Sequence, residues 1–214
     1  MISGQDLILL QKAIKIYQQM VGKTYLLAYS SSKSQPLKVI EIVISEENFW
    51  HLLGYKAHKE IDHKELFKDC LEHKDICNFL SYTRKSQDLK RKYEIFNSLF
   101  DFVKNAKNLT LCNTDGLPEE TMFHIGAGTV NGIIGYAKIS GVHIPKTTQD
   151  KSIFALRSNA NDKLFLVMSR KNGNDNYDVL EYVSSPKYKN EIISKLPEEY
   201  LKKVQVNIPA ETIR

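Results

Sequence analysis

Three observations predict an α+β fold with helices first and an antiparallel meander last. An apolar stripe at helical spacing runs through the first twenty residues. Some fifty residues after position 60 carry helical patterning. The last third holds "SIFALR", "KLFLVMSR" and "YDVLEYV", separated by the turn-forming runs "SNAND" and "KNGNDN". Helices segregated from a meander define the α+β class.

In order, Ser3 can cap a first helix whose Leu7, Leu10, Ile14, Tyr17 and Val21 form one stripe, and Gly22 ends it. "KTYLLAY" and "LKVIEIVI" read as a hairpin across the loop "SSSKSQP". The second of these strands is apolar except at Glu41, so burial on both faces is expected. "SEENFWHLLG" reads as a short helix capped by Ser45, with Glu46 and Glu47 suited to its positive end and Gly54 to the left-handed position beyond it. Asp62 and Glu65 form a capping box before "LFKDCLEH". A long helix follows, with Leu89, Tyr93, Phe96, Phe100 and Val103 on one face, and "KNLTLCNTDG" is a strand entering a turn. Residues 116–150, rich in glycine and short polar side chains, read as a loop-rich insertion. A short helix near 187–195 precedes a polar tail.

The 214 residues, 42% hydrophobic and 26% charged, suit one folded domain over 1–214 able to bury a full core. A formal net charge of +5 permits a polyanionic partner without demanding one. Cys70, Cys77 and Cys112 form no disulfide framework, and the amphipathic N-terminus lacks signal-peptide character. No run approaches a membrane span, so a cytoplasmic protein without membrane association is expected.

Among candidate functional residues, His51 stands out. With about 100° per residue and Phe49 at zero, Leu53 falls near 40°, Trp50 near 100° and Leu52 near 300°, whereas His51 falls near 200°. It therefore faces away from the core of its own helix. His63, Cys70, His73 and Cys77 resemble zinc ligands, but in one helix 63 and 77 stand about 21 Å apart. That is too far to share a tetrahedral ion, and no metal or other cofactor is expected. "GAGTVNG" lacks the dinucleotide fingerprint and its βαβ setting. His124 and His143 lie in the glycine-rich region without recognisable partners. Arg84, Lys85, Lys90, Arg91 and Lys92 cluster at the start of the long helix, where contact with an RNA backbone competes with simple solvation.

The order of elements, together with "ENFWHLLGYK", "YEIFNSLFDFV" and Lys151–Ser152 before the meander, resembles a family of phage-associated nucleases. It is the fourth phage family of the barnase–EndoU–colicin E5/D–RelE group, and the resemblance covers about residues 20–185, leaving 116–150 unaligned. It implies a barnase/EndoU/RelE-like sheet with helices packed on one side. The implied activity is metal-independent RNA cleavage by a toxin or phage-defence component, with a protein antitoxin or immunity protein as partner. Cleavage through the 2′-hydroxyl needs a base, an acid and cations for the phosphorane, and histidine suits the first two near neutral pH. His51 is the expected acid or base, Lys151, Arg157 and Arg170 the phosphate ligands, and Ser152 a further RNA contact. The alternative is a non-catalytic module of mobile-element origin binding RNA or protein on the same fold.

Turns centred between 160 and 161 and between 173 and 174 would pair 151 with 170 and 170 with 177. Lys151, Arg170 and Tyr177 would then share a row, with Arg157 on the same face. A slip of one residue would abolish that site.

Overall fold

The computed structural model describes residues 4–32, 34–58, 60–74, 76–82, 86–117 and 123–205. The cap expected from Ser3, and Arg84 and Lys85, lie outside them. Helix α1 (Gly4–Gln18) buries Leu10, Ile14 and Tyr17, with Leu7 and Val21 packed at its margin. Gly22, at φ +80°, turns the chain into β1 (Lys23–Ser30), which forms an antiparallel hairpin with β2 (Lys38–Val43). Burial on both faces belongs to β1, not to β2. Tyr25, Leu27 and Tyr29 enter the main core while Leu26 and Ala28 enter a second one. In β2 only Ile40 and Ile42 are buried. The reason lies in what covers each face: Ile40 and Ile42 enter the main core, whereas on the other face Val39 is only partly covered and Glu41 meets Arg170 and Tyr177.

The helical part then begins with a 3-10 turn at Glu46–Asn48 and α2 (Phe49–Leu52). A small ladder of β3 (Tyr55–Ala57) and β4 (Leu80–Tyr82) brackets α3 (His63–Leu71), whose Asp62 cap accepts from the Lys64 N–H at 2.8 Å. The expected long helix is α4 (Ser86–Leu99) and then α5 (Phe102–Asn105). Asp101 breaks it by accepting from the Lys104 N–H at 3.1 Å. Leu89, Tyr93, Phe96 and Phe100 are buried as their spacing requires, and Phe100 stacks on Tyr17 at 4.8 Å between ring centroids.

Two expectations for the second half need correction. After β5 (Thr110–Asn113), the stretch 116–150 is not a loop-rich insertion. It carries β6 (Ile125–Thr129), β7 (Gly132–Ile139) and β8 (Val142–Gln149), an antiparallel meander. Its glycines mark close approach rather than freedom: a Cβ on Gly132 would stand 2.4 Å from Ile95 of α4, and one on Gly135 2.6 Å from the Phe123 ring. "SIFALR", conversely, is not a strand. The Ser152 hydroxyl accepts from the Phe154 N–H at 3.2 Å and starts a 3-10 turn at Ile153–Ala155. Its apolar residues cover Cys112, Phe123 and Ile133 instead of extending the sheet.

β9 (Asp162–Lys171) and β10 (Val179–Val183) pair antiparallel, and α6 (Lys189–Ser194) and α7 (Glu198–Leu201) follow. The large sheet closes on itself. β9 pairs with β1 along one edge, and at its start Asp162 and Lys163 pair with Leu111 and Thr110 of β5. Strands β9, β1, β2, β8, β7, β6 and β5 thus form a circuit, antiparallel except between β2 and β8. The main core gathers residues of α1 to α5 against one face of the sheet. Ile192 and Ile193 of α6 cover the opposite face at Leu26, Ala28 and Met168. No helix among the described residues is long and apolar enough to cross a membrane.

Candidate active site

α2 owes its orientation to its apolar residues. Phe49, Trp50, Leu52 and Leu53 are fully buried, and His51 between them is exposed. Ser45 does not cap by its hydroxyl, which accepts instead from the Asn48 side chain at 2.8 Å. Gly54 takes the left-handed conformation at φ +81° that its place beyond the helix requires. The Trp50 indole donates to the carbonyl of His63 at 3.3 Å and fastens α2 to the first residue of α3. His63 is half-buried, and its ring lies edge-on to His51 at 6.4 Å between centroids.

The third member of the group comes from the sheet. Gly135 pairs with Thr147 and Tyr136 with Pro145, so Lys146 is the extra residue of a bulge in β8. Bulges turn a side chain out of the regular alternation, and α2 packs directly on β8. The pKa of His51 is lowered from its ordinary 6.5, first by partial burial, then by the charge of Lys146, then by His63. At neutral pH the imidazole is therefore uncharged and able to accept a proton.

The remaining expected site residues are dispersed. Lys151 is exposed in the turn after β8, and Ser152 is occupied as a cap. The row of Lys151, Arg170 and Tyr177 does not form, because Lys151 lies in no strand and Arg170 pairs with Thr24 of β1. Arg170 and Tyr177 meet by another route. The guanidinium lies 5.1 Å from the Tyr177 ring centroid, the Tyr177 hydroxyl donates to Glu41, and Arg170 Nη2 stands 3.4 Å from the same carboxylate. Arg170 also donates to the Asn174 carbonyl. Opposite Thr24 and Leu26, Arg170 and Glu41 belong to the face that α6 covers, away from α2. Arg157 is a third location: its Nε donates to the Asn113 carbonyl at 3.1 Å and its Nη2 to that of Asp115.

The basic run of α4 does not present one face. Lys90 is exposed, Arg91 pairs with Asp150 at 3.1 Å and with Glu94 at 3.3 Å, and Lys92 is buried. Consecutive helical residues point about 100° apart, so three in a row cannot share a face. Among the described residues no three His, Cys, Asp or Glu side chains are placed to hold a metal ion. Cys70 is buried in the last turn of α3.

The family model described as phage-Barnase-EndoU-ColicinE5/D-RelE like nuclease4 matches residues 9–206. The chain belongs to this family. Membership in a nuclease family implies a nucleic-acid substrate. The match also takes in β6, β7 and β8, the stretch that the sequence resemblance left unaligned. Comparison with curated proteins and with solved structures found no match.

His51 was accessible to sequence reasoning because its four neighbours are apolar. Its two neighbours in this group, His63 and Lys146, were not. His63 draws notice in the sequence only as one of four apparent zinc ligands, and nothing in its spacing links it to His51. Lys146 is one lysine among many, and only the register around Pro145 reveals the bulge.

Proposed function

We propose that the chain is an endoribonuclease acting without a metal ion, with His51 as its general base. The observation that carries this reading is the group formed by His51, His63 and Lys146: an uncharged imidazole, a second imidazole 6.4 Å away and a bulged lysine. His51 takes the proton of the ribose 2′-hydroxyl as O2′ attacks the adjacent phosphorus. Lys146 stabilises the negative charge that develops on the non-bridging oxygens. The bond from phosphorus to O5′ breaks, and the His63 imidazole, as general acid, supplies the proton to that leaving oxygen. The products are a 2′,3′-cyclic phosphate and a free 5′-hydroxyl. Proton transfer and charge neutralisation are both supplied by side chains, which supports cleavage without a Lewis acid.

The phage association in the family's description supports a role as a toxin or phage-defence component, and a protein antitoxin is the partner such a role calls for. The unpatterned cysteines favour a reducing interior such as the cytoplasm.

The test is incubation of the full chain with RNA in EDTA, comparing wild type with His51→Ala. Wild-type cleavage should persist and leave cyclic phosphate ends. His51→Ala should lower the rate about a hundredfold or more, with stability changed by no more than about 0.5 kcal/mol. Cleavage abolished by EDTA and restored by magnesium, or undiminished in His51→Ala, would sink the mechanism. A wild-type chain that binds RNA and leaves it intact would favour the non-catalytic module.

A further inference from the structure

A second polar site lies where the sheet circuit closes. A cavity of about 360 Å³ opens between the starts of β2 and β9 and the end of β5. That volume lies within the range of small-ligand sites. Leu111 and Cys112, consecutive and both buried, line it from β5. Lys38, Asp115, Arg157 and Asp162 bring two positive and two negative charges to the walls, and Asn159 and Asn161 add amides.

These groups are held in place. Lys38 pairs with Asp162 at 2.8 Å. The Asn113 side chain accepts from the Asp115 N–H at 2.7 Å and donates to the Asp115 carboxylate at 2.9 Å. The loop fixed in this way presents its Asn113 and Asp115 carbonyls to Arg157, which binds both and so has its guanidinium plane set before any ligand arrives.

The charge balance decides what could enter. Two carboxylates offset the two cations, so a bare phosphate gains little there. A neutral planar group with donors and acceptors along its edge gains more, because amides and carboxylates can read that edge while an arginine plane stacks on its face. Unpaired RNA bases are recognised in this way. The cavity also stands at the opposite end of β2 from α2. Lys38 to Val43 is five residue steps, about 17 Å at roughly 3.3 Å per step, a reach that a few nucleotides of extended strand can cover.

We infer that this cavity is a base-reading subsite, taking one unpaired nucleobase of the RNA substrate against Arg157 with its edge toward Asn159, Asn161 and Asp162. The inference rests on the nuclease reading for its substrate, and it gives Arg157 a specificity role remote from His51.

The test is affinity, measured on His51→Ala protein so that the RNA stays intact, with short fluorescent single strands of A, C, G or U. One base should bind about tenfold or more tighter than the weakest, a discrimination expected of specific edge contacts. Arg157→Ala and, separately, the exposed Asn161→Ala should flatten that ranking while melting curves show folded protein. Arg157→Lys separates stacking from charge: it should fail to restore the ranking, and full restoration would overturn the subsite. Equal affinity of His51→Ala protein for all four strands overturns the subsite and leaves the nuclease reading standing. Absence of any RNA binding overturns both.

Discussion

Lys146, left unpaired by the bulge in β8, is the charge that bears most on His51. The two belong to elements about a hundred residues apart, and each explains the other. Regular pairing through 145–147 would have kept Lys146 in the alternation of its strand. The bulge instead leaves a cation whose charge adds to partial burial in lowering the His51 pKa, an arrangement that suits the base role proposed for His51.

The sign of that relationship is testable. Burial comes first and Lys146 second in lowering the His51 pKa below 6.5. The acid limb of the RNA-cleavage profile should therefore lie below pH 6.5, with the rate rising as His51 loses its proton. Lys146→Gln removes a charge that disfavours imidazolium, so the His51 pKa should rise and the acid limb should move upward with it. NMR titration of the His51 ring in both proteins reads the shift directly. An unchanged or lowered value in Lys146→Gln would dissociate the lysine from the base.

Much of the fold was legible because its elements carry their own periodicity. The α1 stripe, the β1–β2 hairpin, the Asp62 cap and the β9–β10 pair are local patterns, and each follows from spacing and turn chemistry. The errors arose where a tertiary contact outweighed local preference. Ile153 and Leu156 look like strand residues, yet a serine cap and an uncovered sheet face put Ile153 in a 3-10 turn that Leu156 closes. His51 was legible since its helix alone determines which way it points. Lys146 was not, because a bulge is a property of two strands. Arg170 and Tyr177 were expected together and are together, but through Glu41 rather than through a shared row.

That last group carries a prediction of its own. The side chains of Glu41 and Arg170 are only 14% and 17% exposed, and Tyr177 is wholly buried between them and the chain that returns beside Val204. Removing one member of a buried ion pair leaves the other charge without compensation, at a cost of about 3–5 kcal/mol. Because solvent still reaches part of this pair, Arg170→Ala should fall at the lower end, about 3 kcal/mol. Tyr177→Phe, which removes one hydrogen bond to a carboxylate, should cost about 1.5–3 kcal/mol. Urea unfolding measures both. A rate loss in Arg170→Ala without loss of stability would instead place this arginine in contact with substrate.

The glycines of 116–150 give the final prediction, since they hold the reason that this stretch was misread. Glycine weakens a strand through entropy and the lack of a side chain to pack, so a run of glycines argues for a loop unless something presses against it. At Gly132 something does. Ile95 of α4 occupies the space a Cβ would need, at 2.4 Å from Cγ2 and 2.8 Å from Cγ1. Both are side-chain atoms near the branch point of an isoleucine, so they cannot swing clear without moving its backbone or changing its rotamer. Gly132→Ala should therefore destabilise the protein by about 1–3 kcal/mol, the range for overpacking, although alanine is otherwise the better strand residue. Ile95→Val with Gly132→Ala removes the Cδ1 methyl but keeps the branch, so it should recover little, whereas Ile95→Ala with Gly132→Ala should cost less than the two single changes added together. A double-mutant cycle by chemical denaturation measures that coupling. Strict additivity would mean that α4 does not press on β7 at this point, and the glycine would need another explanation.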